Sequence, residues 1–218
     1  TLSKLIRFTP RIEIIVVDGG STDKTVEIAK IFTDKVFQIV ERGISKAKNY
    51  GARHADGEIL VFLDADVLVP HDFLEKVLIT FENPHVVAAT CHNMPMQPKF
   101  SEFIYFFLFN LLTRFSISAI PKTRFKYGSR GEFMAIRRTG FFKAGGFNEK
   151  IACLEDYDLT FRLSGLGKFA FIEDLKVYES MRRVRTFGLW KISKIWTTEL
   201  LAWLAYGVPK SKVWQIVR

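Results

Sequence analysis

Cysteine is scarce in this chain: Cys91 and Cys153 are the only two among 218 residues, and they form no Cys-x-x-Cys pair. That excludes a zinc ribbon, a dithiol redox motif and a disulfide framework, leaving two buried thiols in a reducing compartment as the plain reading. Long apolar runs are lacking too. The longest uncharged apolar stretch, residues 103–113, has 11 residues between Glu102 and Arg114. About 20 are needed to span a bilayer, so no transmembrane helix is expected. The chain opens Thr-Leu-Ser-Lys-Leu-Ile-Arg-Phe, with neither an initiator Met nor the apolar core of a signal peptide, and reads as a domain trimmed at its start. His54, His71, His85 and His92 have no spacing that suggests a metal site or a triad, and there is no repeat or low-complexity segment.

What is present is a core and an uneven charge. The 48% hydrophobic content suits one or at most two globular domains. The net charge is +9, yet residues 1–175 hold 23 basic and 21 acidic side chains whereas residues 176–218 hold 9 and 2. A nucleic-acid binder would spread its basic charge or cluster it in a recognition element. The asymmetry instead predicts a near-neutral domain whose basic tail meets phosphates, of a membrane surface or otherwise, with no nucleic-acid partner.

Residues 12–17 form a β-branched run ending at Asp18, and residues 59–63 form another ending at Asp64, as in the buried strands of a parallel sheet. A helical pattern, a short strand at 36–40 and a helix over 44–55 lie between them, a βαβαβ alternation. Right-handed connections would bring Asp18, the Arg42-Gly43 turn and Asp64 to one crevice. Further on, the pattern predicts a helix over 71–81 and a strand over 86–90. The aromatic stretch 100–115 reads as a buried helix or an interfacial one. A basic loop follows at 121–130, then a turn at Ala144-Gly145-Gly146-Phe147, a helix over 154–163, strands at 169–172 and 177–180, and a Trp-rich helix over 189–206.

Five segments can carry chemistry. Asp64-Ala65-Asp66 ends a strand, so alternate residues put both carboxylates on one side, where hard oxygen donors suit Mg²⁺ or Mn²⁺; capping of the next helix is the alternative. In Asp18-Gly19-Gly20-Ser21-Thr22-Asp23 the glycines allow close approach of a ligand, and Ser21 to Asp23 are explained by capping. Capping leaves Asp18 to accept from a nucleobase or ribose. Lys46, Lys48 and Asn49 open a helix whose start favours anions, or form a solvated basic face. In Glu155-Asp156-Tyr157-Asp158, helical neighbours project about 100° apart, so Glu155 and Asp156 are not expected to aim at one atom. Asp158 and Arg162 are spaced for an ion pair. Finally Arg182, Arg183 and Arg185 suit bidentate phosphate contact, or mark a solvated strand end.

In this order and spacing the segments resemble the family 2 glycosyltransferases. The likeness runs over residues 10–190 and rests on 14–23, 43–51, 55–66, 145–147 and 155–162. It implies the GT-A fold, an α/β Rossmann-like, mostly parallel sheet flanked by helices, over 1–187, followed by a basic Trp-rich helical tail over 188–218. It also implies a metal-dependent, inverting transfer of a sugar from a nucleotide-diphosphate sugar to a glycan, lipid-phosphate or small-molecule acceptor. The basic tail, with Trp190, Trp196 and Trp203 on one helix, predicts that this happens at the cytoplasmic face of a membrane, packing of that helix on the domain being the alternative. Asp18, Gly19, Ser21, Lys48, Asn49, Asp64, Arg182 and Arg183 would bind the donor, Asp66 and Asp64 the Mg²⁺ or Mn²⁺, and Asp156, beside Glu155, would be the general base. Lys48 stands where many relatives have Arg. The family's first strand, ending near Pro-x-Tyr-Asn-Glu, has no counterpart in the sequence. A non-catalytic nucleotide-binding or membrane-docking module is the alternative; a nucleotidyltransferase would need a Gly-rich basic loop that is not visible.

Overall fold

A computed structural model of the chain describes residues 12–41, 43–119 and 131–211. Arg42 and the basic 121–130 segment lie outside the described residues. The elements are β1 (Val16–Asp18), α1 (Thr25–Lys30), β2 (Val36–Gln38), α2 (Ile44–Arg53), β3 (Ile59–Leu63), β4 (Val67–Leu68), α3 (Phe73–Glu82), β5 (Val86–Pro95), α4 (Phe100–Ala119), β6 (Phe133–Arg137), α5 (Arg138–Lys143), α6 (Glu155–Leu163), β7 (Lys168–Glu179), α7 (Arg182–Phe187) and α8 (Leu189–Tyr206).

Five strands form one sheet in the order β3-β6-β5-β7-β4, while β1 pairs with β2 in a separate parallel ribbon. The expectation of a mostly parallel sheet is corrected here. β5 and β7 are parallel, but β6 runs antiparallel between β3 and β5, and β4 is antiparallel to β7. A parallel reading assumes that every strand follows a crossover helix, and β6, although it follows α4, enters the sheet in the opposite direction. β1 is shorter than the apolar run that foretold it because its partner β2 offers only three residues for pairing. The predicted short strands at 169–172 and 177–180 are one strand, β7, whose pairing to β5 skips register between Cys91 and His92.

Strand alternation explains the core. On β6, Phe133 and Ala135 enter one apolar cluster with Phe73, Val77 and Leu175, whereas Met134 and Ile136 enter another with Phe141, Phe147, Leu159 and Leu163. Both sheet faces are therefore covered, α3 on one side and α2, α5 and α6 on the other. A third, smaller cluster joins Phe106 of α4 to Met181 and Val184 around α7. The tail helix α8 docks on the domain: Trp203 meets Phe161 edge-on at 6.0 Å, and the buried Glu199 accepts the backbone N–H of Lys210 at 2.7 Å and of Ser211 at 3.0 Å. Burial pushes that carboxyl up, but the Ser211 and Lys210 hydrogen bonds outweigh it and hold it below its ordinary range. Cys91 and Cys153 are buried and unpaired, as expected.

Candidate active site

The crevice forms where β3 ends. Asp64 follows β3 directly, and its backbone N–H donates to the carbonyl of Glu132 at 3.3 Å, so the Asp64-Ala65-Asp66 turn is tied to the start of β6. Lys48, on the first turns of α2, reaches into the same place. Its ammonium donates to the Gly131 carbonyl at 3.2 Å and lies 3.5 Å from Asp64 Oδ1 and 3.7 Å from Glu155 Oε1. The Lys48 side chain is only 12% exposed, so these contacts are made largely out of water. Burial would release its proton, yet Asp64, Glu155, Asp156 and Glu132 around it hold its pKa above the ordinary lysine value.

The acids respond in the opposite sense. Burial first, and then Glu155, raise Asp156 well above the usual carboxylate range despite Lys48. Burial also raises Asp64, to about 6, with Lys48 opposing and Glu132, Glu155 and Asp66 adding to the rise. Four carboxylates gather around Lys48, and Arg183 also acts on Asp64 and Glu132. Asp64 and Asp66 stay 43% and 46% exposed at the side chain, open to the crevice. Arg182 Nη2 donates to Asp66 Oδ2 at 3.3 Å, and Arg183, its proton loosened by burial, feels Asp66 and Asp64.

Gly131 was not singled out by its sequence, and it shapes the site. A Cβ built there would meet Lys48 Nζ at 3.3 Å and both Asp156 Oδ2 and Glu155 Oε1 at 3.7 Å. Glu155 and Asp156 therefore face one small volume, contrary to the expectation from helical spacing. The reason is local: Leu154, just ahead of α6, adopts a left-handed conformation with φ 59°, and Glu155 is the first helical residue. Holding a leucine there costs about 1–2 kcal/mol, the kind of strain found at functional sites. Glu132 was missed as well; the Asn93 amide donates to it at 3.4 Å. Neither residue stands in a distinctive motif, and both reach the crevice only because β6 begins beside the end of β3.

Other predicted residues have structural work. Asn49 is buried with both ends of its amide engaged. Its Nδ2 donates to the Phe147 carbonyl at 2.9 Å and to Glu149 Oε1 at 2.8 Å, while its Oδ1 accepts the Phe147 N–H at 2.8 Å. It clamps the Gly145-Gly146-Phe147 turn, where Gly146 has φ +69° and a Cβ would fall 2.7 Å from Asn49 Oδ1. Asp158 and Arg162 form the expected ion pair, and Arg162 also donates to the Gly146 carbonyl at 2.7 Å. A recess of about 610 Å³ behind this turn, lined by Asn49, Arg53, Glu149 and Arg162 among others, contains none of the crevice carboxylates. Asp18 is buried and accepts the N–H of Gly20 at 3.1 Å and of Ser21 at 3.0 Å, so its carboxylate folds the turn around Gly19. The Arg182 to Arg185 segment lies in the short helix α7, not at a strand end.

No group of three or more His, Cys, Asp or Glu side chains arranged to hold a metal occurs among the described residues. The part-exposed pair Asp64 and Asp66 nevertheless offers oxygen donors that fit a hard divalent cation completing its shell with water and phosphate oxygens.

Comparison with known proteins bears on the family and the fold. A mannosyltransferase from Pyrobaculum calidifontis, solved in complex with GDP-Man and Mn2+, superposes with TM-score 0.68 at 25% identity over 88% of this chain and 54% of that one. S. aureus TarS, solved with UDP-GlcNAc, superposes at 0.63 with 19% identity over 82% of this chain and 53% of its own, a likeness of fold alone. In sequence, an uncharacterized glycosyltransferase of Haemophilus influenzae is 37% identical over 92 residues, 39% of this chain and 37% of its own. Another from Rickettsia typhi is 28% identical over 192 residues, 84% of this chain and 59% of its own. The chain thus spans between about a third and three fifths of the length of these relatives. The model of the family described as "Glycosyl transferase family 2" matches residues 1–144, and with the GT-A neighbours and the crevice at the end of β3 it shows that the chain belongs to that family.

Proposed function

We propose that the chain transfers a sugar from a nucleotide-diphosphate sugar to an acceptor hydroxyl, inverting the anomeric carbon, with a divalent metal. The observation that carries this reading is the convergence of Lys48, Asp64, Glu155 and Asp156 on the space beside Gly131, with Asp66 and Arg182 at its mouth. Asp64 and Asp66 would hold Mg²⁺ or Mn²⁺, which when bound neutralises a departing diphosphate.

The chain's own residues supply the rest. Asp156 accepts the proton of the acceptor hydroxyl; its raised pKa gives it more basicity than a surface carboxylate. The acceptor oxygen then bonds to the anomeric carbon from the face opposite the leaving group, and the bond to the diphosphate oxygen breaks. Arg182 exchanges its contact with Asp66 for the diphosphate, with Arg183 beside it. Lys48 keeps Asp64 and Glu155 in place, and Asp18, Gly19 and Ser21 form the turn that receives the nucleoside. The unpaired thiols suit the cytoplasmic side.

The test is transfer or hydrolysis measured over a panel of nucleotide sugars with Mn²⁺. Turnover with one of them, abolished by Asp66→Ala, is expected. Tight binding with no transfer to any acceptor would make the chain a non-catalytic module, and unchanged turnover in Asp66→Ala would remove the metal role.

A further inference from the structure

The helix α4 is inside out. Its buried face carries Glu102, Asn110, Thr113 and Ser116 with only Phe106 and Ile117 among them, while Phe100, Phe107, Leu108, Leu111, Leu112 and Phe115 lie exposed along one side. Exposure reaches 81% at Phe100 and 61% at Phe115. A water-facing helix shows the reverse pattern. By length and composition α4 could cross a membrane, contrary to the expectation from the uncharged run. Polar ties instead lay it on the domain. Asn110 Nδ2 donates to the Asn93 carbonyl at 2.8 Å, its Oδ1 accepts the Asn93 N–H at 3.0 Å, and Glu102 pairs with Arg185 of α7 at 3.6 Å.

The layer continues into α8, whose Trp196 stacks on Tyr105 at 6.4 Å and whose Trp190 is 88% exposed. Charge decides what covers it. The only acids on α4, α7 and α8 are Glu102 and Glu199, and both are buried. Lys191 and Lys194 are exposed on α8, while Arg185 pairs with Glu102. A second copy would bring one basic rim against another.

We propose that the exposed faces of α4 and α8 dock on an anionic bilayer surface, α4 lying in the headgroup plane with its Phe and Leu side chains among the upper acyl chains. This rests on the surface alone, independently of the transfer chemistry. Because α7 links this layer to Asp66 through Arg182, docking holds the crevice mouth near the lipid headgroups.

The experiment is flotation of the full chain with phosphatidylcholine vesicles with and without phosphatidylglycerol, alongside sedimentation without lipid. Binding at least about tenfold greater to the anionic vesicles is expected, falling about tenfold in Phe107→Asp/Leu111→Asp and, separately, in Lys191→Gln/Lys194→Gln. Thermal melting establishes that each variant is folded. The proposal is overturned if the folded wild type ignores anionic vesicles or if the apolar double variant binds as well as wild type. It is equally overturned by a lipid-free dimer that the apolar variant dissociates, which would make the face a self-association surface.

Discussion

The crevice and the α4 layer break the usual rule of inside and outside in opposite ways. At the crevice, Lys48, Glu155 and Asp156 are buried charges. On α4, phenylalanines and leucines face outward while an asparagine, a threonine and a glutamate are buried. Buried charge is costly unless paired, and at Asp156 burial and Glu155 outweigh Lys48. Exposed apolar area costs the isolated fold little, because it is exposed in the unfolded chain too. Stability is therefore given up at the crevice, whereas at α4 only solubility is at stake.

The comparison can be broken most directly at Asp156. Asp156→Asn is expected to lower kcat/KM by about 10²–10⁴ while raising Tm by about 2–4 °C, the equivalent of about 1 kcal/mol in a chain of this size. A fall in Tm, seen by calorimetry, would show that the buried charge is not a cost. Asn49→Ala tests the scaffold beside it. Unpairing the Phe147 backbone should cost about 1–3 kcal/mol in urea unfolding and leave nucleotide affinity unchanged; a specific loss of affinity would put Asn49 in the donor pocket.

The pH dependence follows from the shifts. Asp156 is raised by burial, so kcat/KM should fall as pH drops, with a midpoint above the ordinary value of about 4. A raised carboxyl binds its proton more tightly folded than unfolded, so protonation stabilises the fold as pH falls through its folded pKa. The Tm advantage of Asp156→Asn should accordingly shrink in acid. Burial pushes the Asp64 carboxyl up to about 6. Mn²⁺ affinity, followed by calorimetric titration, should therefore weaken about tenfold per unit below that pH, one proton competing with one cation. The smallest effect belongs to α4: Leu112→Gln should change stability by less than about 0.5 kcal/mol, since the side chain is already in water. A larger loss by urea unfolding would mean that the face is packed.

Much of the site was legible because its signals are local. Asp64-Ala65-Asp66 follows an apolar run, Glu155-Asp156 opens a short helix, and Asp158 and Arg162 pair one turn apart. Gly131 and Glu132 were not legible. Lys48 meets Gly131 across 83 residues of chain, and no spacing rule reaches that far. Asn49 carried a family signal, but its clamp on Phe147, 98 residues away, was not legible either.

By itself the sequence determined which segments alternate as strands and helices, where the acids that reach the crevice stand along the chain, and that basic charge gathers at its end. These follow from the periods of 2 and 3.6 and from residue chemistry, which act over one or two turns. Tertiary structure alone decided the direction of β6, the convergence of Glu155 and Asp156 on Gly131, and which side of α4 faces out. Those depend on long-range contacts, and an apolar helix has no period that says which of its sides the rest of the chain will cover.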